Sequence, residues 1–180
     1  LLLSRTKVGR FVYSIGSNEE ATRLSGVNIA VFKALPYVLC GFLCGLAVIV
    51  RTELGDGYLV IEEGLNGRTT VWDDPIEGYK NGKEYLIPCL ETHKPLDLVV
   101  IMLGTNDLKM RFSVPAYDIA SSAGVLIDII QRSQTGPGDA APKALLIAPP
   151  PILEVGEFAP MFKGGAAKSQ EFSTQYRRVA

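Results

Sequence analysis

The feature that most constrains the fold is an abrupt change in composition near residue 50. Residues 34–50 carry no charged side chain, whereas the chain from Arg51 onward mixes charged, polar and apolar residues. An uncharged run of this length is at the lower limit of the ~17–25 residues that a membrane-spanning helix needs. Gly41 and Gly45 form a Gly-x-x-x-Gly pair, which allows close helix packing in lipid. We therefore expect different structures on the two sides of this position.

Basic residues lie mainly before the apolar run; they include Arg5, Lys7, Arg10, Arg23 and Lys33. If residues 34–50 span a membrane, this asymmetry places the N-terminal end of the helix in the cytoplasm. The alternative is a buried helix in a soluble, cytoplasmic protein. Residues 17–29 are also predicted to be helical, with Ser17 as a candidate N-cap.

From Arg51 onward the pattern is that of a soluble α/β domain. Apolar runs of strand length alternate with stretches of helical length, which favours a parallel sheet with helices on both faces. Predicted strands lie at Leu59–Ile61, Leu98–Leu103 and Ala144–Ala148, and predicted helices at 83–93, 115–132 and 164–180. Leu98–Leu103 is apolar at every position, which predicts a central strand buried on both faces. Residues 64–82 are predicted to form a loop.

Bulk composition excludes several classes of function. The net charge is −1, which argues against a nucleic-acid-binding protein, because such a protein needs a basic face. The three cysteines, Cys40, Cys44 and Cys89, form neither a disulfide framework nor a zinc-ligand pattern. The chain contains one histidine, His93, which limits every mechanism that needs a histidine base. No metal or organic cofactor is implied.

A candidate site follows the strongest predicted strand directly, at Gly104-Thr105-Asn106-Asp107. Active sites of α/β sheets lie at the carboxyl ends of the strands. An Asn amide at this place can donate to a developing oxyanion, and Asp107 can accept backbone N–H groups and fix the turn. A plain turn is the alternative, since Gly, Asn and Asp are ordinary turn residues.

A second segment, VIEEGLNGRTT at residues 60–70, also follows a predicted strand, and Asp73-Asp74-Pro75 then turns the chain. Gly67 can present an unobstructed backbone N–H to a ligand, because it has no side chain. A surface loop would explain each of these residues taken separately.

Taken together, these segments resemble the SGNH (GDSL-type) serine esterases, close to their arylesterase and acyltransferase-like branch. VIEEGLNGRTT…DDP, LVVIMLGTNDLK and KALLIAPPPI are similar to successive blocks of that branch, and the similarity runs from about Glu53 to Ala180. The resemblance implies a flavodoxin-like three-layer fold and the hydrolysis or acyl transfer of small esters by a Ser, His and Asp triad. It also implies that Gly67 and Asn106 belong to the oxyanion hole, with Gly104 and Asp107 as supports.

The chain departs from this family at the triad. The family's first block, Gly-Asp-Ser at the end of its first strand, does not occur, and Gly55-Asp56-Gly57 has no serine. The closing Asp-x-x-His block of the family would lie beyond Ala180. His93 lies between the second and third blocks, at the end of a predicted helix, where a capping or packing role is expected. We therefore expect a partial SGNH fold, with first strand and C-terminal part missing, that is inactive as it stands.

Residues 1–50 resemble a different family. TKVGRFVYSIGSNEEATRLSGVNIAVFKALPYVLCGFLCGLAVIV is similar to permease subunits of the ribose-type sugar ABC importers. In that family the segment matching Gly16–Val27 forms the coupling helix that docks on the ATPase, and the apolar run is a membrane helix. The predicted organisation is a permease-like helical segment at 1–50 and an incomplete SGNH domain at 51–180. Both chain ends read as cut, and a rearranged gene, an assembly artefact or a truncated reading frame would each produce this junction.

One alternative is that residues 10–17 replace the missing first strand and bring Ser17 near the nucleophile position. The chain would still lack a histidine base, and an unassisted serine is a weak nucleophile. Without a replacement, the strands at Leu59–Glu62 and Leu98–Leu103 have unpaired inner edges, which predicts low stability and aggregation. Other open interpretations are a membrane-transport component, an accidental product without selected function, and a non-catalytic module that binds esters or sugars.

Overall fold

The computed structural model describes residue 55 and residues 57–180. Residues 65–154 and 158–180 form one compact unit. The predictions for the apolar run at 34–50, the permease-like segment and the candidate strand at 10–17 lie outside the described residues. No helix in the described part of the chain is long and apolar enough to cross a membrane.

The regular elements are four helices and two strands among these residues. The helices are α1 (Gly82–His93), α2 (Ala116–Arg132), α3 (Gly165–Gln170) and α4 (Phe172–Val179), and the strands are β1 (Leu98–Ile101) and β2 (Lys143–Leu146). Single 3-10 turns lie at Asn106–Leu108, Pro137–Asp139 and Gly156–Phe158. The element order is therefore that of an α/β domain with a small sheet.

The two strands are parallel, with Leu98 opposite Lys143 and Ile101 opposite Leu146. Helix α2 connects them, as parallel strands require a crossover. Both strands were predicted from apolar runs. Each is shorter than its run, since β1 ends at Ile101 and β2 at Leu146.

The helix predictions at 83–93 and 115–132 are confirmed. Asn81 caps α1, since its side-chain oxygen accepts the N–H groups of Lys83 and Glu84 at 3.0 and 3.4 Å. Pro115 occupies the N-cap position of α2, where a missing N–H costs no hydrogen bond. The stretch 164–180 forms two helices rather than one, because the chain bends at Glu171 between α3 and α4.

The core lies on one face of the sheet. Side chains of α1 and α2 pack there in one cluster with Val99 and Ile101 of β1 and with Ala144 and Leu146 of β2. A second cluster joins α2 to α4 through Ile119, Ala123, Phe172 and Tyr176.

Helices were predicted on both faces of the sheet, but no helix of the described residues covers the opposite face. Leu98, Val100 and Met102 are 51%, 50% and 49% exposed, and Leu145 and Ile147 are 47% and 38% exposed. The apolar run of β1 therefore alternates between buried and half-exposed side chains, because in the described part of the chain helices pack on one face of the strands.

The predicted buried strand at Leu59–Glu62 is also wrong. No strand is formed between residues 57 and 64, and Tyr58 and Leu59 are 61% and 79% exposed. A buried strand needs a neighbour to satisfy its backbone groups and a layer to cover its side chains. Among the described residues this segment has no strand to pair with. Its apolar pattern alone is therefore not enough to form a strand.

Candidate functional site

The loop between residues 65 and 81 is held closed by its own backbone. The N–H of Thr69 donates to the carbonyl of Lys80 at 2.9 Å, and the N–H of Gly82 donates back to the carbonyl of Thr69 at 3.2 Å. The hydroxyl of Thr69 donates to the carbonyl of Trp72 at 2.6 Å. These bonds place residues 67–70 beside the start of α1.

Asp107 joins this loop to the turn after β1. Its carboxylate accepts the backbone N–H of Thr70 at 3.0 Å and the hydroxyl of the same residue in a short hydrogen bond. Both side chains are buried. Burial raises the pKa of Asp107, while the two hydrogen bonds from Thr70 and the charge of Lys109 oppose that rise. Asp107 was predicted to accept a backbone N–H group. In the structure it does so, and the donor, Thr70, comes from a loop that is remote in the sequence.

Asn106 begins the 3-10 turn at the carboxyl end of β1. Its side-chain Nδ2 donates to the carbonyl of Arg68 at 3.1 Å. An amide nitrogen carries two hydrogens, so this bond orients the group and leaves a second N–H for another acceptor. Asn106 is partly exposed.

Gly67 is buried and has φ of +84°, a conformation that favours glycine. A Cβ at this position would lie 2.5 Å from Oε2 of Glu77 and 3.2 Å from Cε of Lys80. Among the described residues no hydrogen-bond partner occurs for its backbone N–H. The positive φ therefore favours glycine at this position.

Gly104 is a second position that favours glycine. Its φ is +130°, and the hydroxyl of Tyr176 occupies the place where a Cβ would lie. That hydroxyl donates to the carbonyl of Leu103 at 2.5 Å. Burial, together with the charge of Asp107, raises the pKa of Tyr176. The phenol therefore remains a proton donor and fixes the end of β1 against α4.

A partly buried ionic cluster, formed by Asp74, Glu77, Lys109 and Arg111, ties the same two segments together a second time. Nζ of Lys109 lies 3.3 Å from Asp74 and 2.5 Å from Glu77. Arg111 contacts the same two carboxylates at 3.0 and 3.3 Å. The side chains of Asp74 and Lys109 are 0% and 3% exposed.

The pKa of Asp74 is lowered within this cluster. Burial alone would raise it, but the backbone N–H groups of Glu77 and Ile76, with Lys109 and Arg111, outweigh that effect. Asp74 is therefore held as a carboxylate. Sequence reasoning missed the cluster; the available signal was the pair of basic residues at 109 and 111, directly after the Asn106-Asp107 motif.

The structure thus brings together the segments of all four residues singled out from the sequence: Gly67, Gly104, Asn106 and Asp107. Gly67 and Asn106 are linked through Arg68, and Gly104 and Asp107 flank Asn106 on the same turn. His93 lies in the last turn of α1, as expected from the sequence. Ser17 lies outside the described residues.

Comparison with known proteins identifies the larger part of the chain. Residues 43–180 match the sequence model of the GDSL-like Lipase/Acylhydrolase family. The chain belongs to this family. The resemblance noted in the sequence is thereby confirmed, as is an α/β fold of the SGNH type.

Two solved structures illustrate what this GDSL-family chain is similar to. Est24, a carbohydrate acetylesterase from Sinorhizobium meliloti, is 46% identical with a TM-score of 0.69, over 72% of this chain and 62% of that chain. The inhibitor-bound aryl esterase of M. smegmatis is 43% identical with a TM-score of 0.70, over 74% of this chain and 64% of that chain. The chain therefore spans less than two thirds of the length of either structure.

The front of the chain matches other proteins. Residues 1–53 match the model described as Branched-chain amino acid transport system / permease component. The ribose import permease protein RbsC of Escherichia coli (strain K12) is 49% identical over 50 residues, which is 28% of this chain and 16% of that protein. The permease resemblance is confirmed for this segment, which corresponds to a small part of a permease.

Proposed function

We propose that residues 51–180 carry the oxyanion-stabilising half of a serine-esterase site, of the kind that hydrolyses small carboxylic esters or transfers their acyl group. The observation that supports this most is the bond from Nδ2 of Asn106 to the carbonyl of Arg68 at 3.1 Å. It holds a side-chain donor next to the loop in which the Gly67 N–H has no partner among the described residues. Gly104 and Asp107 support this arrangement by shaping and anchoring the turn.

The chemistry follows from the donors. When a nucleophile attacks an ester carbonyl, negative charge develops on the carbonyl oxygen, and fixed N–H groups stabilise it. Loss of one such donor typically costs ~2.7–4 kcal/mol of transition-state stabilisation. Both donors are prearranged by hydrogen bonds and backbone conformation, so little reorganisation is needed when the charge appears.

We also propose that the 180-residue chain has no esterase turnover by itself. It contains no Gly-Asp-Ser string, and its single histidine lies in the last turn of α1. A serine without a base is a weak nucleophile. The oxyanion donors stabilise negative charge on the ester carbonyl oxygen, but this chain has no activated nucleophile to attack that ester.

The inactivity is tested with p-nitrophenyl acetate, on the full chain in detergent and on two variants. Asn106→Ala removes the proposed donor, and Asn66→Ala removes an exposed asparagine of the same loop as a matched control. All three proteins are expected to match the rate without protein. Turnover that Asn106→Ala abolishes and Asn66→Ala preserves would show that the chain is active, and Ser17 would be the next residue to replace.

The half-site is tested separately from turnover, by following the side-chain amide of Asn106 and the backbone amide of Gly67 in NMR spectra during titration with acetate. Both signals are expected to shift together and saturate, because the anion accepts from both groups. The side-chain amide of Asn66 serves as the internal control. Unchanged Asn106 and Gly67 signals at high acetate would refute the half-site.

A second proposal concerns the permease-like segment. Residues 1–53 match a permease model, and residues 34–50 carry no charge, so we propose that this segment associates with membranes and that the boundary lies near residue 50. Liposome flotation of the full chain tests this, with Leu43→Arg as the disrupting variant and Leu2→Arg as a control. A chain that stays at the bottom of the gradient would refute membrane association. Intact parent genes on both sides of the junction would favour an accidental product.

A further inference from the structure

One face of α1 carries a cysteine and a histidine one helical turn apart. Cys89 and His93 occupy positions i and i+4 of the helix Gly82–His93. Residues with this spacing are neighbours on the helix surface, with Cβ atoms ~5–6 Å apart. The Sγ atom of Cys89 and a ring nitrogen of His93 lie within 4.8 Å of each other. The helix therefore places two metal-ligating atoms side by side.

A neighbouring face of the same helix is buried and holds this pair in place. Leu86 and Leu90 are 8% and 3% exposed and belong to the core cluster on the sheet. Cys89, which carries a reduced thiol, and His93 are partly buried. Water molecules can therefore reach the pair and complete the coordination of an ion. Both residues make a further interaction in the structure, so an ion would bind in competition with it.

The chemistry of the two ligands favours zinc and similar ions. Thiolate and imidazole both suit Zn²⁺, whereas Mg²⁺ and Ca²⁺ prefer oxygen ligands. Zn–S and Zn–N bonds of ~2.3 and ~2.1 Å at a tetrahedral angle place the two ligand atoms ~3.6 Å apart. A rotation of either side chain closes the present spacing to this distance. Two protein ligands are fewer than the four of a structural zinc site, so binding should be weaker than at such a site.

We propose that Cys89 and His93 bind one zinc-like divalent ion, with water completing its coordination. The ion links the last two turns of α1 and thereby stabilises the end of the helix. The cysteines alone form no zinc-ligand pattern in the sequence, because the second ligand of this site is a histidine one helical turn after the cysteine. The inference does not depend on the proposed esterase half-site.

His93 is the single histidine of the chain, so its imidazole reports on the site without being replaced. The full chain in detergent, without a histidine tag, carries Cys40→Ser and Cys44→Ser to remove the other thiols. It is titrated with Zn²⁺ and followed by NMR. The ring signals of His93 are expected to shift and to saturate with one ion per chain. Mg²⁺ at the same concentration should leave them unchanged, because it prefers oxygen ligands.

Co²⁺ tests the thiol in the same background. A bond from Co²⁺ to a thiolate produces a charge-transfer absorption, which Cys89→Ser should abolish. His93→Gln should weaken Co²⁺ binding at least about tenfold, or ~1.4 kcal/mol. Glu91→Gln is the matched control, since it removes an exposed carboxylate on another face of the helix and should leave the affinity unchanged. Zn²⁺ should raise the unfolding temperature of the background chain more than that of the Cys89→Ser variant.

Three results would overturn the proposal. The first is a titration in which the His93 ring signals do not shift and saturate. The second is a Co²⁺ spectrum without thiolate absorption. The third is an unchanged Co²⁺ affinity in His93→Gln, because the thiol would then bind the ion alone. The first two measurements use a chain with both proposed ligands intact, so they decide the matter if the variants at these positions fail to fold.

Discussion

The carboxylate of Asp107 and the backbone N–H of Thr70 lie 3.0 Å apart in a buried contact. The same carboxylate accepts the hydroxyl of Thr70. A charged acceptor makes hydrogen bonds about twice as strong as a neutral one. This single side chain therefore carries much of the connection between the loop that contains Gly67 and the turn that contains Asn106.

Replacing Thr70 by Val should lower the free energy of unfolding by about 1.5–3 kcal/mol, because it removes a buried donor to a carboxylate while keeping the shape of the side chain. Urea unfolding of the full chain measures the change. Thr174→Val, at an exposed position of α4, is the matched control and should have little effect. Equal effects of the two substitutions would show that the Thr70 hydroxyl contributes nothing.

Asp107 should also make the stability of the fold depend on pH, and the direction of its raised pKa sets the sign of that dependence. Its pKa in the folded state is raised above the ordinary value of 3.8. Between 3.8 and the folded pKa the folded state binds more protons than the unfolded state, so stability falls as pH rises through that window. Asp74 has the opposite sign: its lowered pKa stabilises the fold above 3.8, and this stabilisation is lost as pH falls below that value.

The test for Asp107 compares the wild-type chain with Asp107→Asn, by unfolding at a series of pH values from about 3 to 8. The stability of the wild type relative to the variant should decrease as pH rises above 3.8, because the variant has no titrating group at this position. The titrations of groups that do not interact with Asp107 cancel in this difference. A difference that is constant or increases with pH would contradict the raised pKa.

Lys109→Met should destabilise the fold by about 3–5 kcal/mol. The substitution leaves the buried carboxylate of Asp74 and the partly exposed one of Glu77 with Arg111 as their remaining cation in the cluster. Lys163→Met at an exposed position is the control. Adding Asp74→Asn to Lys109→Met should recover part of the loss, since it removes the uncompensated charge. No recovery in the double variant would mean that Lys109 acts mainly through packing.

Gly104→Ala should cost several kcal/mol, and Gly138→Ala only about 1 kcal/mol. Both glycines have positive φ, but nothing lies within 4 Å of a Cβ at Gly138, whereas the Tyr176 hydroxyl occupies that place at Gly104. Thermal unfolding compares the two variants. The double variant with Tyr176→Phe should be less destabilised than the sum of the single changes. Equal costs for the two alanines would show that φ alone sets the penalty.

The elements that the sequence predicted correctly are those specified by local patterns. Helix α2 follows Pro115 and has a regular apolar face, and β1 lies in an uninterrupted apolar run. Burial on both faces of β1 was predicted wrongly, as was a strand at Leu59–Glu62. Each of these depends on layers and neighbours that other parts of a chain must supply, and an apolar pattern reports only a tendency toward burial.

In the candidate site, too, features carried by local motifs were predicted and contacts between distant residues were not. Gly67 and Asn106 were singled out because their motifs resemble those of a known family, and their role in an oxyanion hole stays a prediction. The bond from Thr70 to Asp107 and the ionic cluster were not found, because each joins residues more than thirty positions apart in the chain. The sequence shows which residues are charged, but only the fold shows which charged side chains are in contact.

Helix α2 packs against β1, β2, α1 and α4, and Ile119, Ala123 and Ile130 within it have no exposed surface. Both apolar clusters include residues of this helix. Opening α2 would therefore expose both clusters at once, so the strand–helix–strand unit is expected to open as one cooperative block. Hydrogen exchange should be slowest along α2 and faster in the loop between residues 65 and 81, which can open locally while the block stays closed.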